Sequence, residues 1–159
     1  MSPSAALRRI MVPTDFSVST ERAWVLAQSL ARATGSELVL VHVVPRGASS
    51  EAARKWAAEE LEDCAGKARA QGLRVRVALR TGVPHREIVA LAREEDADLI
   101  VVATHGRGGL DRARLGSVAG QVVRLAPCPV LIGPEPMGAR RAQSAGGRGK
   151  VGTRRPRHQ

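Results

Sequence analysis

Residues 99–117, LIVVATHGRGGLDRARLGS, constrain the fold of this chain more than any other stretch. The stretch opens with a short, β-branched apolar run, which is typical of a strand buried on both faces of a sheet. A loop with three glycines follows, and Gly116 and Ser117 then begin an apolar-periodic helix that extends to Leu125. Glycines admit close backbone approach, and the N–H groups and positive dipole end of a helix start attract anions. The order of strand, glycine loop and helix start therefore predicts a phosphate-binding site.

Composition favours a single globular domain with an aliphatic core. The chain has 159 residues, of which 43% are hydrophobic and 25% charged, and it contains no Tyr, one Phe and two Trp. No apolar run approaches the roughly 18 residues needed to span a bilayer, and the first residues lack the apolar segment of a signal peptide. Cys64 and Cys128 are far apart in sequence and form no CxxC pair, so we expect two reduced thiols in a cytoplasmic protein.

The net charge of +10 lies mostly near the C-terminus. Residues 134–159 carry seven Lys or Arg, one Glu and few apolar residues, so we expect a disordered basic tail after a domain of residues 1–133. Such a tail is either a solvated segment with incidental charge or a source of salt-sensitive attraction to nucleic acid and acidic partners. It has no aromatic residue for base stacking, so specific recognition of single strands is not indicated.

Hydrophobic periodicity predicts five strands that alternate with four helices, which indicates a parallel α/β sheet with right-handed crossovers. The predicted strands are 10–12, 37–44, 73–79, 99–103 and 130–132. The predicted helices follow Ser17 or Ser19, Ser49 or Ser50, Gly82–Val83 and Gly116, with stops at Gly35 and Gly72 for the first two.

The same patterns predict which faces are buried and which strands lie at the sheet edges. The apolar stripes of the last three helices comprise Trp56, Ala57, Leu61, Cys64, Ala65 and Ala68, then Ile88, Leu91 and Ala92, then Val118, Val122 and Leu125. Strand 73–79 alternates apolar and basic residues, which favours an edge position. Pro129 cannot donate a ladder hydrogen bond, so strand 130–132 is predicted at the other edge or against a partner chain.

Ligands of an open parallel sheet bind beyond the carboxyl ends of the strands, where the strand order reverses. If the first and fourth strands are central neighbours, that crevice is lined by Pro13, Thr14, Asp15 and the 104–109 loop. A GxGxxG fingerprint after the first strand and a GK[ST] after the glycines are both absent, which argues against two common classes of nucleotide site.

Three segments resemble the ATP-binding branch of the universal stress protein family. They are IMVPTDFS at residues 10–17, His42-Val43, and the long glycine motif. The family motif is glycine, two residues, glycine, nine residues, then glycine with Ser or Thr. Residues 103–117 fit this spacing, with Ala103 in place of the first glycine. The resemblance covers about residues 7–133.

The resemblance implies a role for each matching residue. Pro13 and Thr14 would shape an adenine pocket that Val43 meets through its backbone, and Asp15 would bond the ribose. Gly106 and Arg107 would lie at the phosphates or ribose, beside Ala103. Gly116, Ser117 and Val118 would hold the phosphates. Ala119 stands where some ATP binders place a second hydroxyl residue, which removes one phosphate contact.

Simpler interpretations remain open for several of these residues. Asp15 is alternatively a plain helix cap, and the glycines are alternatively ordinary turn residues. His42 and His105 have no neighbours at metal-ligand spacing, so pocket-lining or structural roles are favoured and no protein-borne metal is expected. The sequence shows no GxSxG nucleophile elbow and no paired carboxylates, so it indicates no catalytic residues.

The resemblance implies a doubly wound five-stranded parallel sheet in the order 3-2-1-4-5, of the adenine nucleotide α-hydrolase-like kind, with helices on both faces. It also implies a cytoplasmic homodimer that pairs through the strand near Val130–Ile132 and binds ATP, with Mg²⁺ arriving on the phosphates. We expect a nucleotide-dependent stress regulator. The alternatives are a slow ATPase or phosphoryl-transfer enzyme, and a nucleotide-free dimeric interaction module that contacts partners through its basic tail.

Overall fold

The computed structural model describes residues 6–105 and 115–134. Within these ranges, five strands form one parallel sheet in the order β3-β2-β1-β4-β5, which confirms the order implied by the resemblance. The strands are β1 (Arg9–Pro13), β2 (Glu37–Val44), β3 (Val75–Thr81), β4 (Leu99–Val102) and β5 (Val130–Ile132). Central β1 pairs with β2 on one side and β4 on the other, so that Met11 lies between Val39 and Ile100. β3 and β5 form the two edges, as predicted.

Four α-helices connect these strands in the described ranges, and their ends follow local sequence signals. They are α1 (Val18–Thr34), α2 (Glu51–Ala70), α3 (Pro84–Glu94) and α4 (Ser117–Leu125), with one turn of 3-10 helix at Arg46–Ala48. Ser17 and Ser50 are the N-caps of α1 and α2, and Pro84 occupies the first turn of α3. Gly35 ends α1 with a left-handed φ of +73°.

The helices cover both faces of the sheet. α1 and α2 pack on one face against Ile10, Val12 and Leu40, whereas α3 and α4 pack on the other face against Met11 and Val41. Because successive side chains of a strand point to opposite faces, the apolar runs of β1, β2 and β4 supply both cores. The three central residues of β1 have no exposed surface.

Three predicted core positions are wrong, whereas the centres of the same two stripes are buried as predicted, at Ala57, Leu61, Ala65, Ala68 and Val122. Trp56 is 44% exposed, since the neighbouring Ala57 faces the sheet instead. Val118 and Leu125 are 38% and 45% exposed. Ala119 and Val122 are the buried residues of α4, and the small Ala119 lets the helix approach the α3 side of the core. β3 also begins two residues later than predicted, at Val75.

The two cysteines are free thiols on opposite faces of the sheet. Cys64 packs against the core under α1 and α2, and Cys128 against the core under α3 and α4. Burial, the largest contribution in each case, raises the pKa of both thiols. The predicted disordered tail lies outside the described residues from position 135 onward.

Over residues 6–105 and 115–134, no helix has the length and apolar character required to cross a bilayer.

Candidate functional site

A cleft of about 580 Å³ opens beyond the carboxyl ends of β1, β2 and β4. β1 and β4 are neighbours, but the helix after β1 packs on one face of the sheet and the helix after β4 on the other. The two connections therefore diverge and leave a crevice between them, which is where open α/β sheets bind ligands.

Eight of the ten residues predicted for the site line this cleft. They are Pro13, Thr14, Asp15, Val43, Ala103, Gly116, Ser117 and Val118. The structure thus brings together three segments that are about 30 and 60 residues apart in sequence. The other two, Gly106 and Arg107, lie outside the described residues.

Backbone contacts fix the start of the β1–α1 connection against β2. The Thr14 N–H donates to the Val41 carbonyl at 2.8 Å. The Thr14 carbonyl lies 2.7 Å from Nδ1 of His42. Because a carbonyl only accepts, Nδ1 must carry the proton in this contact. His42 therefore has a structural role at the cleft, in line with the interpretation favoured by the sequence.

The Asp15 carboxylate orders the turn that leads into α1. Its Oδ1 accepts a hydrogen bond from the Ser17 N–H at 2.9 Å and lies 3.1 Å from the hydroxyl of buried Thr20. The helix cap itself is Ser17, whose hydroxyl faces the Thr20 N–H. The alternative interpretation of Asp15 as the cap is therefore wrong in detail, although one carboxylate oxygen does serve the local turn.

An aromatic cluster that sequence patterns did not reveal lies beside this turn. The Phe16 ring is 4.7 Å from the His42 ring and 5.2 Å from the Trp56 ring, which it meets nearly edge to face. Phe16 has φ +62°, a left-handed conformation that is rare for a bulky side chain. No local signal in the sequence predicts this backbone, because the contacts that hold it come from β2 and α2.

The other end of the cleft is formed by the N-terminus of α4. Its N-cap is Gly116, which has no side chain to accept from the first helical N–H groups. The Gly116 N–H donates to the Thr104 carbonyl at 2.8 Å and so ties the helix start to the end of β4. Among the described helices longer than one turn, α4 alone has no acidic residue in its first turn. The first-turn N–H groups and the dipole of α4 therefore suit an anion.

Thr104 places an unsatisfied hydroxyl on the same wall. Its Oγ1 is buried and has no hydrogen-bond partner within the described parts of the chain. Buried polar atoms in folded proteins nearly always have a partner, so an unsatisfied one at a cleft is consistent with a polar ligand.

The two ends of the cleft differ in chemistry. The end beside β2 is mostly apolar and is lined by Val41, Val43, Val44, Pro45, Ala48, Ala53, Trp56, Pro84 and Ile88. The end beside β4 offers Thr104, His105 and the start of α4. β2 and β4 are two strand spacings apart, about 10 Å. This arrangement fits an elongated ligand with a flat apolar part and an anionic part.

The two departures from the family motif, Ala103 and Ala119, are small residues that line the cleft. Ala103 lines the cleft just after β4 and also packs against the core under α1. Ala119 lines the cleft and is 7% exposed, so most of its surface belongs to the core. Within the described ranges, no group of three or more His, Cys, Asp or Glu side chains could hold a metal ion.

A second cavity of about 470 Å³ lies between α1 and α2 on the opposite side of the turn. It is lined by Trp24, Arg32, Cys64 and Lys67 among others, and it shares Thr14 and Thr20 with the cleft. Of the eight predicted ligand residues that the structure describes, Thr14 alone reaches it.

Comparison with known proteins gives one consistent result. The sequence model of the Universal stress protein family matches residues 6–134. Universal stress protein MJ0531 of Methanocaldococcus jannaschii is 34% identical over 141 residues, which cover 81% of this chain and 83% of that protein.

Solved structures agree with this relationship. The structure of MJ0577, from the same organism, superposes with a TM-score of 0.77 at 26% identity and covers 83% of this chain and 99% of that one. A universal stress protein from Archaeoglobus fulgidus in complex with dAMP gives a TM-score of 0.66 at 28% identity, with 81% and 99% covered. A universal stress protein in complex with cAMP gives a TM-score of 0.64 at 28% identity, and the match covers 80% of this chain and 96% of that one. The chain therefore belongs to the universal stress protein family.

Proposed function

We propose that this chain is a cytoplasmic stress-response protein that binds an adenine nucleotide, ATP with Mg²⁺, in the cleft between β1 and β4. The observation that carries the proposal is the start of α4, where Gly116 leaves first-turn N–H groups without a side-chain cap at one end of the cleft. The dAMP and cAMP complexes of two relatives support it, since both ligands join an adenine base to a phosphate.

The chemistry of the cleft suggests how ATP would lie. The adenine would occupy the apolar end, against Pro13, Thr14 and the backbone of Val43. The ribose would lie near Asp15, and the phosphates would meet Gly116, Ser117 and Val118. Ala103 would border the phosphate path together with Gly106 and Arg107. Mg²⁺ would be held chiefly by the phosphate oxygens, since this ion commonly keeps waters and few protein ligands.

We propose a nucleotide-dependent regulator rather than a dedicated catalyst. Asp15 is the single carboxylate among the described residues that line the cleft, and its Oδ1 already serves Ser17 and Thr20. A general base needs a carboxylate oriented toward the attacking water. Slow hydrolysis remains the alternative, and it predicts phosphate release that rises with protein concentration and disappears when Gly116 is substituted.

Calorimetric titration with ATP and Mg²⁺ tests the proposal through Ser117. We expect Ser117→Ala to weaken binding about tenfold to a hundredfold, because hydrogen bonds to charged groups contribute roughly 1.5–3 kcal/mol. Ser29→Ala is the matched control, since Ser29 is exposed on α1 and its hydroxyl bonds only its own helix, at the Val25 carbonyl. Equal affinities of both variants and the wild type would remove Ser117 from the site.

The same proposal includes a homodimer that forms through β5. This edge strand exposes Leu131 and Ile132 at 36% and 42%, and Leu125 at the end of α4 is 45% exposed. Residues 1–133 would form the nucleotide-binding and dimerisation domain. Residues 134–159 would be an appended basic tail with weak affinity for nucleic acid or acidic partners.

A further inference from the structure

Trp56 lies on the wall of the cleft, although it belongs to the apolar stripe of α2 that was predicted to face the core. α2 buries Ala57, Leu61 and Ala65 against the sheet, whereas Trp56 keeps 44% of its surface exposed. It borders the apolar end of the cleft together with Ala53 of the same helix.

Aromatic contacts orient the Trp56 ring beside the cleft. The Phe16 ring meets it nearly edge to face at 5.2 Å, and Phe16 is itself stacked at a tilt on His42. Phe16 makes these contacts from a left-handed backbone conformation, which is unfavourable for a bulky side chain and recurs at binding sites. A rigid aromatic wall contacts a flat ligand at little cost in side-chain entropy.

The wall stands at the end of the cleft that the proposed base would occupy. Trp56 shares this end with Val43 and Pro45. The uncapped start of α4 lies beyond the end of β4, about 10 Å across two strand spacings. A ligand with phosphates at α4 therefore extends its other end toward the Trp56 side.

We propose that Trp56 is a base-contacting residue of this cleft, whose ring packs against the planar heterocycle of the bound nucleotide. The inference rests on the proposed function and adds a contact to it. Base–aromatic contacts tolerate any base, because every base has a π-face. Trp56 thus strengthens binding of base-containing nucleotides in general and leaves the choice of adenine to the backbone beside Val43.

Affinity and fluorescence together test this role. Trp56→Leu should weaken ATP binding about tenfold or more in calorimetry, while Trp56→Phe, which keeps an aromatic ring, should stay within about threefold of the wild type. The control is Val25→Ala, because Val25 is 56% exposed and lines only the second cavity. The melting temperature without ligand shows that each variant is folded.

Tryptophan fluorescence reports the contact directly, because the chain has two Trp and no Tyr. ATP should shield Trp56 from acrylamide quenching in the wild type. Trp56→Phe should lack this shielding, since only Trp24, 8% exposed, remains. The role of Trp56 would be overturned if the wild type bound ATP without shielding of Trp56 and Trp56→Leu bound it with unchanged affinity. The proposed function would then still stand. Failure of the wild type to bind ATP would overturn both.

Discussion

Single residues shape the β1–α1 turn through a compact set of hydroxyl contacts. The Thr20 hydroxyl lies within 3.2 Å of Thr14 Oγ1, Asp15 Oδ1 and the Ser17 carbonyl, and Thr20 is only 7% exposed. Buried polar groups with several partners favour one local geometry, since any other geometry leaves a buried donor or acceptor without a hydrogen bond. Thr20 thus keeps the cleft-facing side of the turn in place from within the first turn of α1.

Two glycines, one directly after α1 and one inside α2, give a matched test of backbone strain. Gly35 has φ +73° and an added Cβ would meet no atom within 4 Å, so Gly35→Ala tests conformation alone. We expect it to lower the free energy of unfolding by about 1–2 kcal/mol, the cost of a left-handed conformation for an L-residue. Gly66 lies inside α2 in equally open space, and Gly66→Ala should raise stability by about 1 kcal/mol. Urea unfolding measures the change in the free energy of unfolding for each variant. Equal changes of the same sign would contradict the expected opposite effects.

Residue-level features were predictable where the signal is local. Ser17, Gly35 and Pro84 have the expected cap and first-turn positions because the chemistry that selects them acts within a few residues. The conformation of Phe16 and the exposure of Trp56 depend on β2 and α2 packing around them, so no window of sequence contains the information.

Among the secondary-structure elements, a charged network joins the amino ends of β1 and β2 to β3 and the end of α3. Glu37 accepts from Arg9 at 3.1 Å and from Arg76 at 2.9 Å, and Arg76 also pairs with Glu95 at 2.5 Å. Partial burial raises the pKa of the Glu37 carboxyl, but the bonds and charges of Arg76 and Arg9 outweigh it and hold the pKa below the ordinary value of 4.5.

The lowered pKa of Glu37 predicts a pH-dependent contribution to stability. A carboxyl whose pKa is lower in the folded state stabilises the fold fully above the unfolded-state value of 4.5 and loses this contribution as pH falls through the folded value. Glu37→Gln should therefore be less stable than the wild type at pH 7, and the difference should shrink below pH 4.5. Unfolding by urea from pH 7 to pH 3 measures it.

Glu59→Gln is the control for this series, because Glu59 is 66% exposed and lies 4.0 Å from Lys55 in a surface pair that contributes little. A Glu37→Gln difference that stayed constant across the acidic range would contradict the assignment.

Element boundaries were predictable for the buried strands and less so for the rest. β2 begins and ends at Glu37 and Val44, as predicted, because the stretch between Ser36 and Pro45 is apolar except for Glu37 and His42. α4 shows the limit of such patterns. Its stripe predicted Val118 and Leu125 in the core, but the small Ala119 packs there instead, a choice set by close approach to the α3 side. Several of the residues that meet at the cleft were nevertheless predictable, since the strand order fixes which carboxyl ends adjoin.

For the whole molecule, the open edge at β5 predicts a two-fold assembly. Among residues 6–105 and 115–134, no strand pairs with the outer edge of β5, and exposed Leu131 and Ile132 offer apolar surface there to a second copy. Leu131→Glu should convert the dimer to a monomer in light scattering, because two carboxylates would then be brought close together across the two-fold axis. Val18→Glu, on exposed α1 surface of 63%, should remain dimeric. A wild-type chain that is monomeric at high concentration would contradict the assembly.

A crystal structure of the protein with ATP and Mg²⁺ would show whether the cleft between β1 and β4 holds a nucleotide. We predict density for the base at the apolar end beside Val43 and for the phosphates at Gly116 and Ser117. A nucleotide seated between α1 and α2, or a cleft without nucleotide at saturating ATP, would overturn the assignment of this cleft as the nucleotide site.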